Sequence, residues 1–235
     1  MSVPYAKLPA WVDFGLVPLI NLIVAFLVAG LVVLAVGESP LRAAALLIEG
    51  AFGYGEGIGF TLYYATNFIF TGLAVAVAFH CGLFNIGGEG QAYVAGLGVA
   101  LPCLWLDQFA PWYVIFLAAI LGSALVGGIW AMIPGWLQAK RGSHVVITTI
   151  MFNFIAAALL NYVLVNLLRP VGAMDPATAR FPDAVHLPTF QDMFSTAATP
   201  LFRGAPANVS FFLALLACGL VWLLIWRTRL GYEIR

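Results

Sequence analysis

The sequence predicts an all-α, polytopic membrane protein with about six transmembrane helices and a broken or re-entrant segment near residues 82–91. Composition is the first observation behind this: 63% of residues are hydrophobic, only 9% are charged and mean hydropathy is +1.01, against roughly 25% charged residues in soluble domains. Window length is the second. The apolar stretches run for about 20 residues, enough for a spanning helix, whereas a membrane barrel would alternate over segments of about 10. The third is Gly82 to Gln91, a polar, glycine-rich run with a long apolar segment on either side. Irregular backbone at membrane depth persists only where protein buries it or where it lines a watery cavity, because each unsatisfied N–H or C=O costs several kcal/mol.

A short tail carrying Lys7 precedes a first span over about 14–36, which Gly37-Glu38-Ser39-Pro40 closes. Residues 40–59 mix apolar positions with Arg42, Glu49 and Glu56 and then become glycine-rich, which predicts an interfacial helix followed by a hinge-like loop. The second span covers about 60–81, and Asn67 and Thr71 make a polar i, i+4 pair on it. After the central run a third span covers about 92–106, and Asp107 to Pro111 turns the chain between Trp105 and Trp112. The fourth span, about 112–133, carries Gly122, Ser123, Gly127 and Gly128, small enough to let helices approach closely. Pro134 to His144 reads as a short basic loop, the fifth span as about 145–167, and the sixth as about 208–226. Between those last two lies a proline-rich external loop, 168–207.

The basic loop around Lys140 and Arg141 sets the orientation, since positive charge collects on the cytoplasmic side. Lys7, Arg227, Arg229 and Arg235 then fall on the same side, placing both ends of this chain in the cytoplasm, and the 168–207 segment lies outside.

Glu89 is the sharpest single residue, because a carboxylate at the hydrocarbon is costly and tends to be paired, satisfied or functional. Two readings stay open: a contact on a translocation path, or an acid in the first turn of a helix. Gly87, Gly88 and Gly90 beside it allow a break or a close backbone approach. Thr149 and Asn153 are four apart and Asn161 follows eight later, so all three lie within about 120° of one another on the fifth span. That stripe suits either a solute path or interhelical hydrogen bonds.

Ten basic and ten acidic residues balance, with no basic run, so the sequence does not point to nucleic acid. Cys81, Cys103 and Cys218 make neither a disulfide frame nor a metal spacing, and His80, His144 and His186 sit apart. No nucleophile elbow, phosphate loop or His-Glu-x-x-His helix occurs, so no enzyme is expected on this chain, no metal site and no cofactor.

Three blocks carry a resemblance: Gly82-Leu-Phe-Asn-Ile-Gly-Gly-Glu-Gly-Gln91, Pro134-Gly-Trp-Leu-Gln-Ala-Lys-Arg-Gly-Ser-His144 and Val146-Ile-Thr-Thr-Ile-Met-Phe-Asn-Phe-Ile155. From about Ala51 to Arg235 the chain closely resembles permease subunits of bacterial ABC importers, of the nucleoside or simple-sugar type within the branched-chain amino acid and ribose permease superfamily. The resemblance implies a multi-pass protein of the bacterial plasma (inner) membrane, with residues 1–235 as one transmembrane permease domain, the N-terminal part of a longer family domain. It implies a second permease subunit, a cytoplasmic ABC ATPase holding ATP and Mg, an external substrate-binding lipoprotein, a small-molecule solute and contact with membrane lipid. Asn67, Asn85, Gly87, Gly88, Glu89, Gln91, Thr149 and Asn153 are the expected solute-path residues, with Tyr63, Phe152 and Phe154 as aromatic surface. Arg229, Gly231, Tyr232, Glu233 and Arg235 match the start of the segment that couples to the ATPase. An ion-coupled secondary transporter or channel working without an ATPase is the competing reading, since broken helices occur there too.

Overall fold

In the computed structural model, residues 9–106, 108–194, 202 and 204–235 are described. Lys7, Asp107 and the 195–201 and 203 part of the expected external loop lie outside the described residues. A π-helical turn, Val12–Leu16, leads into α1, Val17–Ala35. Next come α2, Pro40–Phe52, and α3, Gly55–His80. They are followed by α4, Gly88–Trp105, α5, Trp112–Arg141, and α6, Val145–Val163, which runs on into a π-turn over Leu164–Leu168. A short α7, Phe190–Phe194, follows, and α8, Ser210–Arg227, and α9, Arg229–Ile234, complete the order.

Among the described residues five helices are long and apolar enough to cross a membrane: Val12–Ala35, Gly55–His80, Trp112–Arg141, Val145–Leu168 and Ser210–Arg227. The third stretch read as a span, α4, is instead the most enclosed element. It buries Gly90, Val94, Leu97, Gly98, Ala100 and Cys103 against α5 and α6. The reason is the small-residue face: a Cβ at Gly98 would meet the Gly122 carbonyl carbon at 2.7 Å and the Ser123 nitrogen at 2.9 Å. Backbones approach this closely only where neither helix carries a side chain. By contrast α1 buries nothing and touches α2, so its leucines, isoleucines and valines face outward, as lipid requires.

Two boundaries differ from the sequence reading. The glycine-rich stretch expected as a loop is the first turn of α3, because Gly57 packs on the Gly50 carbonyl and Gly59 on Ala205 and Phe202. Glycine here supplies close approach rather than flexibility. The fourth span does not stop before Pro134, which is buried inside α5. That helix continues to Arg141 and ends where Gly142 adopts φ 66°, with Lys140 and Arg141 in the last turn, where cations suit the helix dipole.

Contacts at the two ends fix relative directions. Gly59 of α3 lies by Ala205 just before α8, and His80 at its far end meets Trp226 of α8 at 6.2 Å, so α3 and α8 run parallel. The chain between α6 and α8 packs onto the end of the bundle where α4 leads into α5: Phe181 and Val185 cover Cys103, Ile115 and Ala119. Phe190, 4% exposed, gathers Phe194, Phe202, Phe211 and Phe212 around it.

Candidate functional site

The chain breaks between α3 and α4 for a local reason. Gly82 adopts φ 72°, its N–H donates to Phe79 O at 3.0 Å, and Leu83 N–H reaches back to Ala78 O at 3.0 Å. This pair of bonds closes α3 as a Schellman motif. Residues 83–87 are then non-helical. Asn85 Oδ1 accepts from Gly87 N–H at 2.8 Å, and the Asn85 and Gln91 amides face each other at 3.4 Å.

The polar stripe on α6 meets this break. Thr149, 2% exposed, accepts from Ile86 N–H at 3.3 Å and donates to Val145 O at 2.8 Å. Asn153 donates to Ile86 O at 2.9 Å and accepts from Gly90 N–H at 2.9 Å. Gly90 is the third residue of α4, so its N–H is one of the donors that a helix leaves without an internal partner. A Cβ on Gly90 would lie 2.8 Å from Asn153 Cα and 3.1 Å from the Ala156 Cβ, and Ala156 is fully buried. A Cβ on Gly87 would lie 3.1 Å from the Thr149 Cβ. Thr149, Asn153, Gly87 and Gly90 therefore fasten the break to α6.

Asn67, Asn85, Gly88 and Glu89 come together in an open groove of about 730 Å³ between α3 and the start of α4, with Phe68, Thr71 and Phe84. Gln91 faces a second groove of about 470 Å³, floored by Ser123, Ala124, Gly127 and Gly128 of α5; Thr71 and Gly88 border both. Glu89 is exposed in the first groove and accepts from Tyr93 Oη at 2.8 Å. Its partner thus lies one turn along its own helix. Phe68, Phe84 and Tyr93 were not singled out in the sequence; the i, i+4 spacing of Glu89 and Tyr93 was the available signal. Of the expected aromatic surface, Phe152 packs edge-on against Trp130 at 5.3 Å, Tyr63 packs on Tyr64, and Phe154 points outward, 68% exposed.

The proposed coupling residues form one folded unit. Thr228 turns the chain in extended conformation, its hydroxyl donating to Leu224 O at 2.6 Å and accepting from Gly231 N–H at 3.1 Å. Gly231 is buried because a Cβ there would collide with the carbonyls of Leu224 and Ile225. Arg235 Nε donates to Gly231 O at 3.3 Å, and its guanidinium lies 4.5 Å above the Trp226 ring. Arg229, Tyr232 and Glu233 remain exposed, Tyr232 at 78%. The contact of Trp226 with His80 ties this unit to the end of α3, immediately before the break.

The family described as "Branched-chain amino acid transport system / permease component" matches residues 57–235. A guanosine ABC transporter permease protein of Bacillus subtilis is 34% identical over 220 residues, covering 94% of this chain and 60% of that protein. A glucose ABC transporter permease protein of Haloferax volcanii is 31% identical over 239 residues, covering 98% of this chain and 60% of that protein. A nucleoside ABC transporter permease protein of Lactococcus lactis is 31% identical over 221 residues, covering 94% and 59%. The chain spans about 60% of the length of these curated relatives. No solved structure matches it.

Proposed function

Because the chain belongs to the branched-chain amino acid transport system / permease component family, we propose that it is membrane-embedded permease machinery of an ATP-driven importer, passing nucleosides or simple sugars inward. The solutes named for its relatives are guanosine, glucose and nucleosides. Guanosine and glucose share a sugar with adjacent hydroxyls, so the proposed solute class is small, neutral and polyhydroxylated. ATP and Mg belong to a separate cytoplasmic ATPase, and an external binding lipoprotein and a second permease subunit complete the assembly in the bacterial inner membrane. Lys140, Arg141, Arg227 and Arg229 lie on the cytoplasmic side in this reading, as the positive-inside rule asks, and α7 lies outside.

The observation that carries the reading is the helix break between His80 and Gly88. Its backbone groups at Ile86 and Gly90 are satisfied by Thr149 and Asn153 from α6, while Asn67 and Glu89 stay open to a groove. Such a break needs support from other protein or from a watery cavity, and here both are at hand. Coupling runs through α9: the exposed Arg229, Tyr232 and Glu233 meet the ATPase, and the contact of Trp226 with His80 passes its displacement to α3. Alternating access needs such a stiff element between the site of ATP hydrolysis and the spans.

The test is uptake of labelled guanosine and glucose by the full-length permease reconstituted in liposomes with its ATPase and binding protein. Uptake that needs ATP and the binding protein is expected. Uptake driven by a proton or sodium gradient with no ATPase present would replace this reading by the ion-coupled one.

A further inference from the structure

The groove beside the break has an uneven supply of hydrogen-bonding capacity. Asn85 is largely consumed within the break: its Oδ1 takes the Gly87 N–H and lies 3.4 Å from the Gln91 amide nitrogen, and its Nδ2 faces Gln91 Oε1. Asn67 gives one N–H to Tyr63 O at 3.2 Å, and Thr71 turns its hydroxyl to Asn67 O at 3.1 Å. Glu89 is different. A carboxylate offers about four acceptor sites, and the bond from Tyr93 occupies one of them, on Oε1. Among the described residues no lysine, arginine or histidine lines the groove, and the contacts of Asp183 with Arg180 and His186 lie between α6 and α8, away from it.

We infer that Glu89 is the specificity-determining contact for adjacent hydroxyls on the solute, its two oxygens accepting one hydrogen bond each from a vicinal diol. This rests on the import reading above and deepens it. A carboxylate accepts only, so it selects for donors, and two hydroxyls on neighbouring carbons present theirs side by side, as its two oxygens require. Tyr93 holds the carboxylate in position from one turn along α4. Phe68 and Phe84, 72% and 52% exposed, add apolar ring surface to the same groove. The negative charge of that carboxylate opposes a phosphate placed against it. Solutes bearing a phosphate are therefore disfavoured against Glu89.

The experiment is competition against labelled guanosine uptake in the reconstituted full-length assembly. Competitors are unlabelled guanosine, its 2′,3′-dideoxy analogue and its 5′-monophosphate, and the binding protein is held saturated with label so that membrane-stage selection is read. Losing two hydrogen bonds to a charged group predicts that the wild type takes the dideoxy analogue about 100-fold less well than guanosine or worse, and rejects the monophosphate. Glu89→Gln should bring guanosine and the dideoxy analogue to within about threefold of one another and relax rejection of the monophosphate, whereas Glu89→Asp keeps the preference. Equal competition by guanosine and the dideoxy analogue in the wild type overturns the assignment without any variant, as does an unchanged ratio in Glu89→Gln. Absence of any nucleoside or sugar uptake by the wild-type assembly overturns the import reading itself, a result separate from loss of diol preference.

Discussion

Replacing Asn153 by alanine removes one side chain that serves two backbone groups, the Ile86 carbonyl and the Gly90 N–H, both at 2.9 Å. The Gly90 N–H has no partner within its own helix, and the Ile86 carbonyl sits in a segment with no helix at all. Each lost bond is worth about 0.5–1.5 kcal/mol net. Measured interhelical polar contacts in membranes average about 0.6 kcal/mol, which sets the lower end. The pair then contributes about 2 kcal/mol, an increase of about 30-fold in the population of the opened break. Hydrogen–deuterium exchange of the 82–91 peptide in nanodiscs reads this directly: Asn153→Ala should speed exchange by about that factor while peptides of α5 and α8 stay unchanged. Asn153→Asp keeps an acceptor for Gly90 but loses the donor to Ile86, so it should fall between the two. Unchanged exchange at 82–91 in Asn153→Ala would refute the claim that α6 holds the break closed.

At Gly98, alanine would push a Cβ into the backbone of Gly122 and Ser123, which cannot yield as a flexible side chain would. Gly98→Ala should cost about 1–3 kcal/mol, seen as a lowered thermal midpoint in detergent, and an unchanged midpoint would mean that α4 and α5 do not pack this closely. Between α6 and α8, the Thr189 hydroxyl and N–H donate to Asp192 Oδ2 at 2.7 and 3.1 Å and hold its carboxyl below the usual carboxylate range. A pKa lower in the folded than in the unfolded state stabilises fully above the unfolded value, near 3.9, and is lost as pH falls through the folded value. A small deficit in thermal midpoint for Thr189→Val at pH 7 should accordingly close below about pH 4; a gap that persists in acid would rule out the carboxylate as its source. Exchanging charges with Arg229→Glu and Glu233→Arg leaves the Thr228, Gly231 and Arg235 anchors of α9 in place. The double variant should insert normally yet recover several-fold less ATPase on co-purification, and full recovery would remove the docking role.

Much of this architecture is written locally. Hydropathy and window length are properties of consecutive residues, so the membrane class, the all-helical fold and the approximate spans were legible without a structure. So was a break near 82–91, because glycine and polar residues interrupt apolar runs in the sequence itself; the structure narrows it, with Gly88 to Gln91 already in α4. Helical periodicity also put Thr149 and Asn153 on one face. What that face meets could not be read from spacing: the partners of Thr149 and Asn153 lie 63 to 67 residues away, and they are backbone atoms, which leave no mark on side-chain pattern. The same limit explains the two displaced boundaries. Gly57 and Gly59 look like a loop until Gly50 and Ala205 are seen against them, and Pro134 looks like a stop until it is buried within α5. Tertiary structure likewise decided that Glu89 faces a groove and bonds Tyr93, whereas Thr149 and Asn153 are spent on the break. In a low-dielectric surrounding every backbone N–H and C=O must find a partner, and which distant side chain supplies it is settled only when the helices pack.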